Sequence, residues 1–316
     1  MNKFVQWALN ITVGLFFFLF FLFLFFPLEE VARHYVGEVG RMSKGKYRIV
    51  IGKIEPSLLF KSSIKDLEVY TRDASGVEQV ITKLADVKIG VSYLPLLAGK
   101  VSSSFIATSQ KGKAEGDFSL SKDDSKVNVK IKDLSLDNFP YLSVLAKVPL
   151  KGSLSGTINI KYSAAEINKS EGKLDLSFLQ FKIPAAHLMP VPSFELDLPE
   201  TILSDTNGAQ IKLSLKNSRL EIQDFSIPGP DLIVSLKGNI QINKRSNFSK
   251  LNLIGTFNFS DKIKEALPYL VIIENQKNEQ GLYPLSISGR LTKPQMQIGN
   301  FDLTSLTGAL PSGQGQ

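Results

Sequence analysis

The sequence predicts a mainly β protein: an N-terminal transmembrane helix and an amphipathic helix, then an elongated, curved antiparallel β-sheet forming a groove or open barrel, with a few short helices. Three observations carry this reading. An apolar run without a charged residue spans 5–28. Beyond residue 45 the apolar pattern has a period of two, as in Val127, Val129 and Ile131 or Ile211, Leu213 and Leu215, with polar residues such as Asn128 and Lys212 between. Strands with one wet and one apolar face are the mark of antiparallel sheet. A glycine also recurs in phase with the apolar residues.

The apolar run comes first. About 24 residues at ~1.5 Å each cross the ~30 Å hydrocarbon core with some tilt. Its centre includes Leu15, Phe16, Phe17, Phe18, Leu19 and Phe20. A removable signal would have a shorter apolar region, of about 7–15 residues, and a small-residue exit. Here the exit is Phe25, Phe26, Pro27, Leu28, Glu29 and Glu30, which favours an uncleaved anchor. Lys3 and the free amine precede the span and the acidic pair follows it, so the N-terminus stays cytoplasmic and the body is exported. In a Gram-negative bacterium this is a single-pass protein of the inner membrane with a periplasmic body.

Leu28, Val31, Ala32, Tyr35, Val36, Val39 and Met42 then recur at helical spacing, predicting an amphipathic helix within 29–46. The β body follows over 47–303. Short helices are expected at 139–147 and 261–273, the second weakened by Pro268. Pro184, Pro190, Pro192 and Pro199 mark a looping crossover and a subdivision near 183–200. The tail 304–316 reads as disordered.

The recurring unit places Gly116, Gly156, Gly238, Gly255 and Gly289 on the same side of their strands as the neighbouring apolar residues. Glycine there lets a strand bend or bulge. The residues expected to line the apolar face are Leu154, Ile158, Ile160, Leu236, Ile240, Ile242, Phe257 and Phe259. Such a face either closes into a filled core or stays open as a trough, and periodicity does not separate the two.

Composition removes several classes of function. Cysteine is absent, so there is no disulfide framework and no thiolate metal site. The 37 Lys and Arg against 30 Asp and Glu give +7, but the charges are scattered singly, which argues against nucleic acid and for weak attraction to anionic lipid headgroups. His34 and His187 are the two histidines, too far apart in sequence for a metal motif. Ser62 and Lys65 have Ser-x-x-Lys spacing without its companion motifs. Asp123 and Asp124 read as a hairpin tip. No catalytic, cofactor-binding or metal residue is expected, and the protein is read as a non-enzyme.

The order of segments resembles a known family. The strings IEPSL at 54–58, IKDLEV at 64–69 and LADVKIGVSYLPLLAGKV at 84–101, after a span and a helix, resemble the start of the AsmA-like inner-membrane-anchored proteins. VPLKGSLSG at 148–156, LIVSLKG at 232–238 and GLYPLSISGRLTKP at 281–294 resemble more closely the N-component family of type II secretion systems, GspN in its short form. The resemblance implies a β-groove body without catalytic residues. Its expected partners are the inner-membrane bilayer, type II secretion components and phospholipid acyl chains. The function it implies is a part in protein secretion through protein contacts, or a lipid holder or conduit between envelope membranes.

Overall fold

The computed structural model describes residues 37, 40, 41, 43–57, 61–72, 76–92, 100–121, 124–163, 166–191, 194–243 and 246–303. The expected membrane span, most of the amphipathic helix and the tail lie outside these residues. No helix among the described residues is long and apolar enough to cross a membrane.

The chain is mainly β. In order, the strands are β1 (Tyr47–Ser57), β2 (Lys61–Arg72), β3 (Glu78–Ser92), β4 (Val101–Thr108), β5 (Lys113–Leu120), β6 (Asp124–Ser135), β7 (Lys151–Ser163), β8 (Glu171–Ile183), β9 (Ala186–Val191), β10 (Phe194–Leu198), β11 (Thr201–Ile202), β12 (Ala209–Lys216), β13 (Arg219–Pro228), β14 (Leu232–Gln241), β15 (Lys250–Phe259), β16 (Tyr283–Arg290), β17 (Lys293–Ile298) and β18 (Phe301–Asp302). Two short helices, α1 (Pro140–Ala146) and α2 (Asp261–Ala266), lie between strands. All strands except β9 and β10 join one 16-stranded antiparallel sheet. Its order follows the chain from β1 to β8 and from β12 to β18, with β11 beside β8. Among the described residues β1 and β18 are its two end strands and do not pair with each other.

The meander follows from short polar turns between alternating strands, because each hairpin lays the next strand beside the last. The expected crossover at 183–199 forms instead a separate hairpin of β9 and β10, after which β11 returns to β8 at Lys182 and Ile183. Pro184 precedes this hairpin and Pro199 follows it, each breaking a strand at a turn. α1 begins with Pro140 at its first turn and ends at Lys147 in the left-handed conformation. α2 is shorter than the expected 261–273. It ends at Ala266, and Pro268 opens 3-10 turns to Gln276, because proline cannot supply the interior hydrogen bond of a continuing α-helix.

Two apolar clusters lie towards the two edges of the sheet. In the first, Ile54, Ile64, Val87, Ala107, Ala114, Ile131, Leu134 and Leu154 are covered by the 136–150 segment, whose Leu136, Phe139, Leu142 and Leu150 pack on them. Asn138 ties that segment down, its carbonyl accepting from Thr82 Oγ1 at 2.8 Å and its Oδ1 from Ser109 Oγ at 2.8 Å. In the second, Ile273 and Leu270 pack on Tyr283, Ile298, Phe257 and Phe259. Between them, neither helix nor any 3-10 turn packs extensively on β8 or β12–β14, and no second sheet faces this one among the described residues.

Candidate ligand-binding face

Antiparallel register places directly paired residues on the same face, so rows of side chains run across the sheet. One row passes through Ile54, Ile64, Val87, Ala107, Ala114 and Ile131, then Gly156, Leu176, Ile211, Phe225 and Leu236, then Gly255, Leu285, Ile298 and Phe301. Not one member is polar. The next row in the same face runs Ile89, Phe105, Gly116, Val129, Ile158, Leu174, Leu213, Ile222, Gly238, Leu253, Ile287 and Met296. A third contains Phe118, Val127, Ile160, Gly172, Leu215, Leu220, Ile240 and Leu251.

In the first row, Ile54 to Ile131 and Ile298 are buried, whereas Leu176, Ile211, Phe225 and Leu236 are only half-buried. Leu176 packs against the first cluster, whereas Ile211, Phe225 and Leu236 belong to neither, so among the described residues the least covered part of the apolar face runs from β12 to β14. On the apolar face, Gly116, Gly156, Gly238 and Gly255 are fitted to the neighbouring backbone. A Cβ at Gly156 would meet the Asp175 carbonyl oxygen at 2.1 Å, and its φ of +147° is one that side chains rarely adopt.

The residues expected to line this face all point to it, but they divide. Ile158, Leu236 and Ile240 are half-buried members of the rows, and Ile160 is 42% exposed. Ile242 lies just past the end of β14, its N–H donating to the Ser218 carbonyl at 2.7 Å. Leu154 belongs to the first packed cluster. Phe257 and Phe259 belong to the second, their rings 5.4 Å apart and Phe257 stacked on Tyr283 at 5.2 Å. Leu176, Leu213 and Leu253 alternate as clearly in the sequence but are not among the residues expected to line the face, and neither is Phe225. Only register shows that they extend the same rows.

The opposite face is polar, and over β1–β3 it holds charge in local pairs. Glu78 receives Arg48 at 2.6 Å and Arg72 at 3.0 Å, and these hydrogen bonds hold its carboxyl below the usual range. Hydrogen bonds from Lys83 and Tyr70 do the same for Glu68, and one from Ser63, with Lys65 helping, does so for Asp86. Ser62 and Lys65 project to opposite faces, Ser62 pairing with Ile89 in the apolar row and Lys65 with Asp86. An offset of three in a strand separates the two side chains a Ser-Lys pair would bring together. His187 Nδ1 lies 2.7 Å from Asp197 Oδ1 on the exposed β9–β10 hairpin, and His34 and Asp123 lie outside the described residues. No cluster of His, Asp and Glu able to hold a metal occurs among the described residues.

No protein-family model matches the chain, and neither a curated protein nor a solved structure matches it.

Proposed function

We propose that the chain is an inner-membrane-anchored periplasmic component associated with type II protein secretion, of the GspN kind, that works by contact and without catalysis. The strings at 84–101, 148–156 and 281–294 and the order of span, helix and β body support the secretion assignment. The observation that carries binding as the mode of action is the run of half-buried apolar residues over β12–β14, on which no helix or 3-10 turn packs extensively among the described residues. In this reading the sheet is a curved, elongated trough. Irregular pairing at left-handed Asp133 and Gln180 bends β6 and β8, and glycines let neighbouring backbones approach.

The same uncovered strip favours a second reading, a holder or conduit for phospholipid acyl chains. An apolar surface of this length loses contact with water when alkyl chains lie along it, at ~25 cal/mol per Å² removed. One experiment separates the two. A photo-crosslinking residue replaces Ile240 in the full chain, with Asn239, on the opposite face of the same strand, as control. Secretion proteins captured at 240 and not at 239 support the first reading, and lipid-mass adducts at 240 support the second. Equal labelling at both positions overturns the apolar strip as the working surface.

A further inference from the structure

The positive charges that look scattered along the chain are gathered by the register. On the polar face, at the strand ends remote from α1 and α2, Lys126 sits directly opposite Lys161 and Lys216 opposite Arg219. The same row continues through Gln241 to Lys250, Arg290 and Lys293, each paired with the next. Over the nine strands from β6 to β17, at ~4.8 Å per strand, the row is roughly 40 Å long. Glu171, paired with Lys161, is the acid within it, and Glu221 lies in the neighbouring row. All seven cations are exposed, and none has a carboxylate partner among the described residues. Like charges directly across a ladder repel and lower stability. An anionic surface laid along the row turns that repulsion into attraction.

Two further features say which anionic surface. Between Lys126, Lys161, Lys173 and Lys216 lies a shallow depression of ≈ 320 Å³, the size of a small headgroup rather than of a polymer groove. Large apolar side chains are exposed at the same margin: Leu120, Ile160 and Tyr162 on the strands, Phe248 and Leu291 in the turns beside Lys250 and Arg290. The Arg290 guanidinium lies 5.9 Å from the centre of the Phe248 ring. A hydrated polyanion, whether nucleic acid or acidic glycan, offers nothing to such side chains. The boundary between phosphates and acyl chains takes both, the cations at headgroup level and the apolar tips below.

We infer that this long margin of the sheet is a docking edge for the surface of an anionic phospholipid bilayer. The docking does not depend on what the apolar strip carries, nor on any secretion partner. Sequence alone did not reveal it, because the seven cations are spread over 168 positions between Lys126 and Lys293 and become neighbours through the ladder alone.

The test holds the full chain in phosphatidylcholine nanodiscs and measures capture of a second population of vesicles, either pure phosphatidylcholine or containing phosphatidylglycerol. Capture is expected with the anionic vesicles alone and is lost in high salt. Lys250→Gln with Arg290→Gln and Lys293→Gln weakens it roughly a hundredfold, at about fivefold per charge. Lys88→Gln with Lys130→Gln and Lys132→Gln removes equal charge from the same face away from the margin and leaves capture within about threefold of the parent. Circular dichroism confirms that both triple variants are folded, and the salt dependence of the unaltered chain tests the idea if either is not. Equal capture of both vesicle types, equal loss in both triple variants, or binding to heparin or duplex DNA without capture of anionic vesicles overturns the inference.

Discussion

Asp231 accepts a hydrogen bond from the backbone N–H of Ile202 at 2.8 Å, joining the turn before β14 to β11 across 29 residues of chain. The same carboxylate takes Ser260 Oγ at 3.1 Å and Lys262 Nζ at 3.3 Å. Asp231 is 8% exposed, and its three donors come from the end of β11 and the first turn of α2, so the carboxylate ties both to the start of β14. Asp231→Ala leaves the Ile202 N–H without its acceptor, and the expected cost is about 2–3 kcal/mol of unfolding free energy by denaturant titration.

The same residue gives the acid limb its sign. Burial pushes the Asp231 carboxyl up, but the Ile202 N–H, Lys262 and Ser260 together outweigh it, and the net value lies below the usual one. The unfolded chain then takes up its proton first as pH falls. Stabilisation present above the ordinary carboxylate value, about 4, is lost as pH drops through the lower folded value. Unfolding free energy is therefore flat from pH 7 to 5 and declines below about 4, and Asp231→Asn has the shallower decline.

Tyr283 governs the alkaline limb. It is fully buried, stacked on Phe257, and its hydroxyl donates to Glu274, which also holds Lys277. Burial first, and then the bond to Glu274, pushes the phenol up to about 12. Its stabilising contribution is complete below the unfolded value near 10 and is lost as pH rises through the folded value. In an ultraviolet titration, one of the eight tyrosines ionises late and together with unfolding. In Tyr283→Phe that late step disappears, at a cost of about 1 kcal/mol at neutral pH.

Gly156 and Gly172 make a paired test of the glycine pattern. At Gly156 an added Cβ meets backbone at 2.1 Å, with φ at +147°. At Gly172 the nearest atom, Leu215 Cβ, is 3.5 Å away and φ is ordinary. Gly156→Ala is expected to cost about 3 kcal/mol or more, and Gly172→Ala less than about 1 kcal/mol. Equal melting temperatures for the two variants contradict the close approach of β7 to β8.

The open and covered parts of the apolar face respond differently to a charge. Ile240 is half-buried in the uncovered region, so Ile240→Asp keeps its carboxylate in reach of water and the protein folds, within about 2 kcal/mol of the parent. Leu134 is 1% exposed under the 136–150 segment, and Leu134→Asp costs several kcal/mol, on the order of the whole stability of a domain. Proteolysis at matched concentrations separates them. An unfolded Ile240→Asp variant shows that the middle of the sheet is covered after all.

Much of the sheet is legible in the linear chain, because the physics behind it is local. Side chains alternate along any strand, so Val127, Val129 and Ile131 share a face wherever β6 lies. Pro140 opens α1 and Pro268 stops α2 for reasons internal to their own backbones. Four of the five in-phase glycines, all but Gly289, mark positions without room for a side chain, although the pattern does not name the carbonyl that fills the room at Gly156.

What alternation leaves open is everything that depends on which strand lies beside which. Local pattern does not say that no helix packs extensively on the middle of the sheet among the described residues, that Phe257 leaves the strip to stack on Tyr283, or that a hairpin forms between Pro184 and Pro199. It is equally silent on Asp231 reaching Ile202, and on Lys216, Arg219, Lys250, Arg290 and Lys293 standing in one row. Those relations are set by register, a long-range pairing that costs chain entropy and is selected by the fit of the whole apolar face.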